Sequence, residues 1–200
     1  MFFKKKHLNL NSCKNLLDFG SGDGFFIQSI SEPNIRAFGV EPVLPTKSSN
    51  VFKQLSDVQK KGLQFSIITA WHSLEHTQDI HQTSQALVDL LEEKGRLVVA
   101  VPNYESYDAL FYKSFWAGYD TPRHLWHFNQ KAIIDMFVKR GLTFRYSKPM
   151  LLDDFYVSYL SEINKSSRWP ILSTFLVAFF SNLKAAVSYT HLTLPTTEAV

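Results

Sequence analysis

Residues Leu16-Leu17-Asp18-Phe19-Gly20-Ser21-Gly22-Asp23-Gly24 hold the first chemistry in this chain. An apolar run ends in glycines at alternate positions, with one acid just before them and another among them. Glycines let the backbone turn tightly and approach a ligand with no Cβ in the way. At the end of a first strand, such a turn is where open α/β sheets hold nucleotide-like cofactors. A pyrophosphate would be repelled by Asp18 and Asp23. A cofactor bearing an ammonium and a sulfonium would be attracted, and S-adenosylmethionine is such a molecule. The same Asp23 is also a fitting turn residue or helix cap.

Glu41 supports the reading. It follows a second apolar run, Ile35 to Val40, about 20 residues after the loop, where a ribose-binding acid belongs on a second strand. A carboxylate there can accept from both ribose hydroxyls. The plainer alternative is a solvated acid at a strand end.

The elements around these residues follow from their patterning. Lys14 to Phe19 reads as a strand, Phe25 to Ser31 as the start of a helix and Ile35 to Val40 as strand two. Pro42 to Asn50 is a polar loop with two prolines, and Val51 to Leu55 a short third strand. Little room is left for a helix between strands two and three. Phe65 to Trp71 is apolar without alternation, as expected of a parallel strand covered on both faces. Asp79 to Glu93 has helical periodicity through Ile80, Ala86 and Leu90, with Gly95 expected to end it. Arg96 to Val101 is strand five, Gln130 to Arg140 a helix and Leu142 to Tyr146 strand six. Strands alternating with helices give a doubly wound α/β sheet.

Composition fits one folded domain. The chain has 200 residues, 45% hydrophobic and 20% charged, with a net charge of +3, too small to argue for nucleic acid. The single cysteine, Cys13, has no partner for a disulfide within the chain and no metal-ligand spacing. Residues 1–11 are basic and lack the apolar centre of a secretory signal, so a cytoplasmic protein is expected.

Five motifs in order resemble the class I S-adenosylmethionine-dependent methyltransferases: LLDFGSGDG, GVEP at 39–42, WHSLEH at 71–76, GRLVVAVPN at 95–103 and DTPRHLWHF at 120–128. The resemblance spans about residues 14–165 and is nearest to the group related to quinone-pathway O-methyltransferases. It implies a Rossmann-like doubly wound sheet of seven strands, the last antiparallel and inserted between strands five and six. It implies S-adenosylmethionine as cofactor, with Asp18, Gly20, Ser21, Gly22 and Gly24 around the methionine half and Glu41 on the ribose. The turn at Trp71 and His72 would lie beside the cofactor, and Asp57 could face the adenine amino group.

On the acceptor side, the resemblance places Asp120 to Phe128 over the substrate. His124 or His127 can take a proton from a hydroxyl, and Arg123 can grip a carboxylate or phosphate. These three are the catalytic candidates; the alternative is a hydrogen-bonded lid. Tyr104, Tyr107, Tyr112, Phe115, Trp116, Tyr119 and Trp126 suit a flat or apolar small-molecule acceptor, or simple packing. His72-Ser-Leu-Glu75-His76 also matches the letters of an H-x-x-E-H zinc motif, but lacks that motif's helical context, so no metal is expected.

The end of the chain reads differently. Val187 to Thr197 resembles a translated sequencing adapter, a run that would not belong to the natural fold. Residues 1–186 are therefore expected to form the methyltransferase domain, truncated at its C-terminus, and 187–200 a non-native tail. The sheet would then lack its last strand and be less stable than one that has it. The apolar segment 169–180 is too short to span a bilayer. It reads as a core or lid helix, or as a peripheral membrane contact that admits a lipid-like acceptor.

The leading expectation is a methyltransferase acting on a small molecule, at oxygen. A non-catalytic cofactor-binding sensor is the second reading. A dinucleotide-dependent oxidoreductase is a distant third, because Asp18 and the glycine spacing count against it.

Overall fold

The computed structural model describes residues 8, 10–11, 13–30, 32–43, 49–148, 150–166, 169–183 and 192–195. The strands are β1 (Asn15–Phe19), β2 (Arg36–Val40), β3 (Val51–Phe52), β4 (Phe65–Trp71), β5 (Leu91–Ala100) and β6 (Leu192–Pro195). The helices are α1 (Phe25–Gln28), α2 (Leu55–Lys60), α3 (Ile80–Asp89), α4 (Tyr107–Tyr112), α5 (Gln130–Val138), α6 (Leu151–Asn164) and α7 (Pro170–Leu183).

The sheet runs β3-β2-β1-β4-β5-β6, with the first five strands parallel. From β1 the chain winds outward to β3, then crosses back to lay β4 on the other side of β1. The crevice at the carboxyl ends of β1 and β4 is thus the topological switch point, where such sheets bind ligands.

Adjacent residues on each strand go to opposite faces. Leu17, Ile68, Leu97 and Val99 join Val58 of α2, Leu87 of α3, and Ile133 and Phe137 of α5 in one core. Leu16, Ile67, Val98 and Ala100 join Phe26 and Ile27 of α1 and Cys13 in the other. Burial on both faces is why β4 reads as an unbroken apolar run. Asp79 caps α3, accepting from the Gln82 amide at 2.9 Å.

Four expectations are corrected. A six-residue helix, α2, follows a third strand of only two residues, where a five-residue strand was expected. Gly95 does not end α3. It lies inside β5, where a Cβ would stand 2.9 Å from the carbonyl oxygens of Glu92 and Phe65, at the register shift between Phe65 and Ile67. Leu142 to Tyr146 forms only single bridges at its two ends, without the continuous ladder that makes a strand. Finally, β5 has an antiparallel partner: β6 pairs Leu192 with Val99 through Pro195 with Arg96. The last strand expected to be missing is thus represented by a short one, drawn from within 187–200. The rest of that run lies outside the described residues.

Candidate functional site

The glycine loop leaves β1 at Phe19 and is stitched to β2. The amides of Gly20 and Ser21 both donate to the Val40 carbonyl, at 2.9 and 3.1 Å. Gly20 and Gly22 hold φ of 75° and 54°, which side chains rarely adopt. A Cβ on Gly20 would lie 2.4 Å from Cβ of Ser73, in the turn after β4, so that turn packs directly on the loop. A Cβ on Gly22 would meet nothing within 4 Å among the described residues. The loop is therefore closed on its Ser73 side and open over Gly22.

Glu41 organises the open side. Its Oε2 accepts from the Gly22 amide at 2.9 Å and its Oε1 from the Val43 amide at 3.0 Å. Each oxygen keeps a further acceptor site for a hydroxyl. Asp23 takes the turn role: its Oδ1 accepts from the Phe25 amide at 3.0 Å, just as α1 begins.

Asp18 is 3% exposed and accepts the Thr69 hydroxyl at 2.6 Å, tying β1 to β4 beneath the loop. Thr69→Val keeps the side-chain shape and removes this donor from a buried carboxylate. It is expected to lower stability by about 1–3 kcal/mol in denaturant unfolding; an unchanged midpoint would show the bond to be immaterial.

Trp71 and Phe26 meet edge to face, 6.1 Å between centroids, closing the base of the crevice. Ser21 Oγ and Ser73 Oγ are buried beside the loop with no hydrogen-bond partner among the described residues. Unmet hydroxyls beside an open, acid-bordered glycine loop fit a polar, cationic ligand such as S-adenosylmethionine.

The turn after β4 has a second side. His72, with φ 50°, is held by its amide to the Ala100 carbonyl at 2.9 Å and by Nε2 to Asp153 Oδ2 at 3.1 Å. Its Nδ1 lies 3.6 Å from Glu75 Oε1. Burial alone would lower the pKa of this imidazole. The Asp153 and Glu75 carboxylates outweigh that and raise it to about 9, so the ring is cationic at neutral pH.

His72 and Glu75 face a cavity of about 700 Å³, walled also by Trp116, Tyr119, His124 and Tyr156. Behind that wall, Trp116 donates its indole N–H to buried Asp108 at 2.8 Å, and Tyr112 its hydroxyl to Glu162 at 2.9 Å. Tyr112 and Trp116 are thereby fixed in a small core of their own.

Of the three catalytic candidates, two border the cavity. His124 presents Nδ1 to the Gly118 carbonyl at 2.9 Å, and burial lowers its pKa, keeping the ring neutral. Arg123 is mostly exposed and paired with Asp120 at 2.7 Å. His127 is exposed outside the cavity lining and donates from Nε2 to the Tyr119 carbonyl at 2.9 Å. Asp57 forms a surface pair with Lys60 on α2. Asp153, which fixes His72, has no motif in the sequence; its partner is 81 residues away.

Residues 2–146 match the profile of a family described as a methyltransferase domain. No curated protein matches the chain. Solved structures share the fold. An S-adenosylmethionine-dependent methyltransferase from Archaeoglobus fulgidus is 15% identical, with a TM-score of 0.60 over 98% of this chain and 91% of its own. The cyclopropane synthase MmaA2 from Mycobacterium tuberculosis is 15% identical, with a TM-score of 0.59 over 94% of this chain and 80% of its own. A phosphoethanolamine N-methyltransferase from Haemonchus contortus is 13% identical, with a TM-score of 0.59 over 98% of this chain and 51% of its own.

Proposed function

The chain belongs to the methyltransferase-domain family and is an S-adenosylmethionine-dependent methyltransferase; from that premise we propose that it methylates a small acceptor at oxygen. The acceptor is aromatic, quinone-like or lipid-like in this reading, and the kinship with quinone-pathway O-methyltransferases belongs to the same proposal. One observation carries it. The single turn Trp71 to Glu75 packs on the glycine loop through Ser73 and walls the 700 Å³ cavity through His72 and Glu75.

When bound, the cofactor supplies an electrophilic methyl group on its sulfonium. The protein's part is to align the acceptor, exclude water and manage one proton. Glu41 and the Gly20 to Gly24 loop would hold the cofactor. Trp116, Tyr119 and Tyr156 offer flat surfaces to the acceptor. His124, neutral and with Nε2 3.7 Å from Asp120 Oδ2, is placed to act on the acceptor's hydroxyl proton. Arg123 would receive an anionic substituent.

Among the described residues no helix is long and apolar enough to cross a membrane. Trp169, Ile171, Leu172, Phe175 and Leu176 nevertheless stand exposed on and before α7, which supports the membrane-surface reading for a lipid-like acceptor. A cytoplasmic setting and a foreign origin for 187–200 complete the proposal.

The test is methyl transfer from labelled S-adenosylmethionine to a panel of phenols, hydroquinones and hydroxylated lipids. His124→Ala is expected to lower kcat by about 10²–10⁴-fold while cofactor affinity stays within a few-fold. Cofactor binding without turnover on any acceptor would favour the sensor reading instead.

A further inference from the structure

Glu75 is fully buried, and among the described residues neither of its carboxylate oxygens has a hydrogen-bond partner. Its nearest cation, His72 Nδ1, is at ion-pair distance, 3.6 Å, beyond hydrogen-bond reach. Buried carboxylates are normally hydrogen-bonded, and one that is not points to an ion or a water held between it and its neighbours.

Its neighbours are two histidines. His76 follows it in the same 3₁₀ turn, Leu74–His76. His124 arrives from the far loop, with its ring 4.7 Å from the His76 ring. The two are oriented in the same way. His76 Nδ1 faces the Arg123 carbonyl at 3.0 Å, and His124 Nδ1 faces the Gly118 carbonyl at 2.9 Å. A ring nitrogen against a carbonyl carries a proton, which makes Nε2 the lone-pair atom of each ring in its neutral form. A backbone carbonyl on one ring nitrogen is the outer contact that fixes a metal-ligating histidine. Among the described residues, one donor atom from each of Glu75, His76 and His124 lies within 4.8 Å of the others.

We propose that Glu75, His76 and His124 form a binding site for a divalent transition ion of the zinc class. Two imidazole nitrogens and one carboxylate oxygen are a donor set that suits zinc and leaves a fourth position open. Closing the three donors to bonds of about 2.0–2.2 Å needs shifts of about an ångström or less. Turn geometry helps: the Glu75 carbonyl accepts from the Leu125 and Trp126 amides, at 2.8 and 3.2 Å, which clamps the His124 loop to the Glu75 turn. The ligand set differs from the H-x-x-E-H pattern in the sequence. His72 is committed to Asp153, and His124 stands in its place.

The open position would face the cavity, since Glu75 and His124 line it. The ion would there bind an acceptor hydroxyl and lower its pKa, so that its proton passes to solvent water in the cavity while His124 holds the metal instead of accepting that proton. This role, unlike the site itself, rests on the methyltransferase reading above.

The test uses chelator-dialysed protein titrated with cobalt(II), then zinc(II), in the absence of S-adenosylmethionine. One equivalent of cobalt should produce visible d–d absorption that one equivalent of zinc removes. Zinc should raise the melting temperature of the wild type. His124→Ala and the exposed-site variant His76→Ala should each bind cobalt at least tenfold more weakly and lose the zinc shift, while melting near the wild type without metal. Absence of the cobalt spectrum and of the zinc shift overturns the proposal, as does binding that both variants retain. Calorimetry with S-adenosylmethionine on the same samples separates this failure from failure of the cofactor site.

Discussion

Gly22→Ala is expected to leave the protein folded and to weaken S-adenosylmethionine binding by about 10–100-fold, some 1.4–2.8 kcal/mol. The position has φ 54°, so alanine carries the strain of a left-handed residue, about 1 kcal/mol. Among the described residues nothing lies within 4 Å of the new Cβ, so they add no further cost in the free chain. The methyl instead occupies the open side of the loop, where the cofactor would lie. Gly20→Ala is the opposite case. Its Cβ would overlap Ser73 Cβ at 2.4 Å, and neither atom is the end of a flexible side chain. Strain and overlap together should cost about 2–4 kcal/mol, which for a chain of this size lowers the melting temperature by about 5–15 °C. Melting and calorimetry on both variants check the pair. Equal destabilisation by the two, or full cofactor affinity in Gly22→Ala, would contradict the open-over-Gly22 geometry.

Glu41→Ala is expected to have the second large effect, about a 100-fold loss of cofactor affinity. Two things go at once: the acceptor for the ribose hydroxyls and the partner of two backbone amides, those of Gly22 and Val43. At about 1–1.5 kcal/mol for each lost contact, two contacts make roughly two decades. Glu41→Gln keeps one carbonyl acceptor and should fall between, near tenfold. A Glu41→Ala protein that binds within threefold of wild type would remove the acid from the cofactor site.

The long parallel strands were legible where burial on both faces writes them as continuous apolar runs, clearest in Phe65 to Trp71; the first half of β5, with Glu92, Glu93 and Lys94, instead reads as the end of the preceding helix, which stops at Asp89. α2 was not legible: a six-residue helix with one buried side chain, Val58, leaves no periodicity to read. Leu142 to Tyr146 has the composition of a strand, but pairing depends on what lies beside it, which composition does not carry. Gly95 shows the same limit. Its place next to a helix suggests a helix end, whereas the carbonyls of Glu92 in the same strand and of Phe65 on the neighbouring one exclude a Cβ there.

In the site, the glycine loop and Glu41 were legible because their chemistry depends on local turn geometry and on a spacing set by one helix and one strand. Asp18 was readable as an acid at the crevice, but not as the acceptor of the Thr69 hydroxyl 51 residues on. The Asp153 contact of His72 and the approach of His124 to Glu75 and His76 likewise join residues far apart in the chain. His127 and His124 are equal in sequence terms; only the fold turns one toward the cavity and the other out.

The crevice over Gly22 and Glu41 is the proposed S-adenosylmethionine site. Isothermal titration of the wild-type chain with S-adenosylhomocysteine, repeated on Gly22→Ala and Glu41→Ala, tests it most directly. A single saturable site is expected in the wild type, with binding at least tenfold weaker in both variants. Absence of binding in a folded wild-type protein, or equal binding by all three, would contradict it.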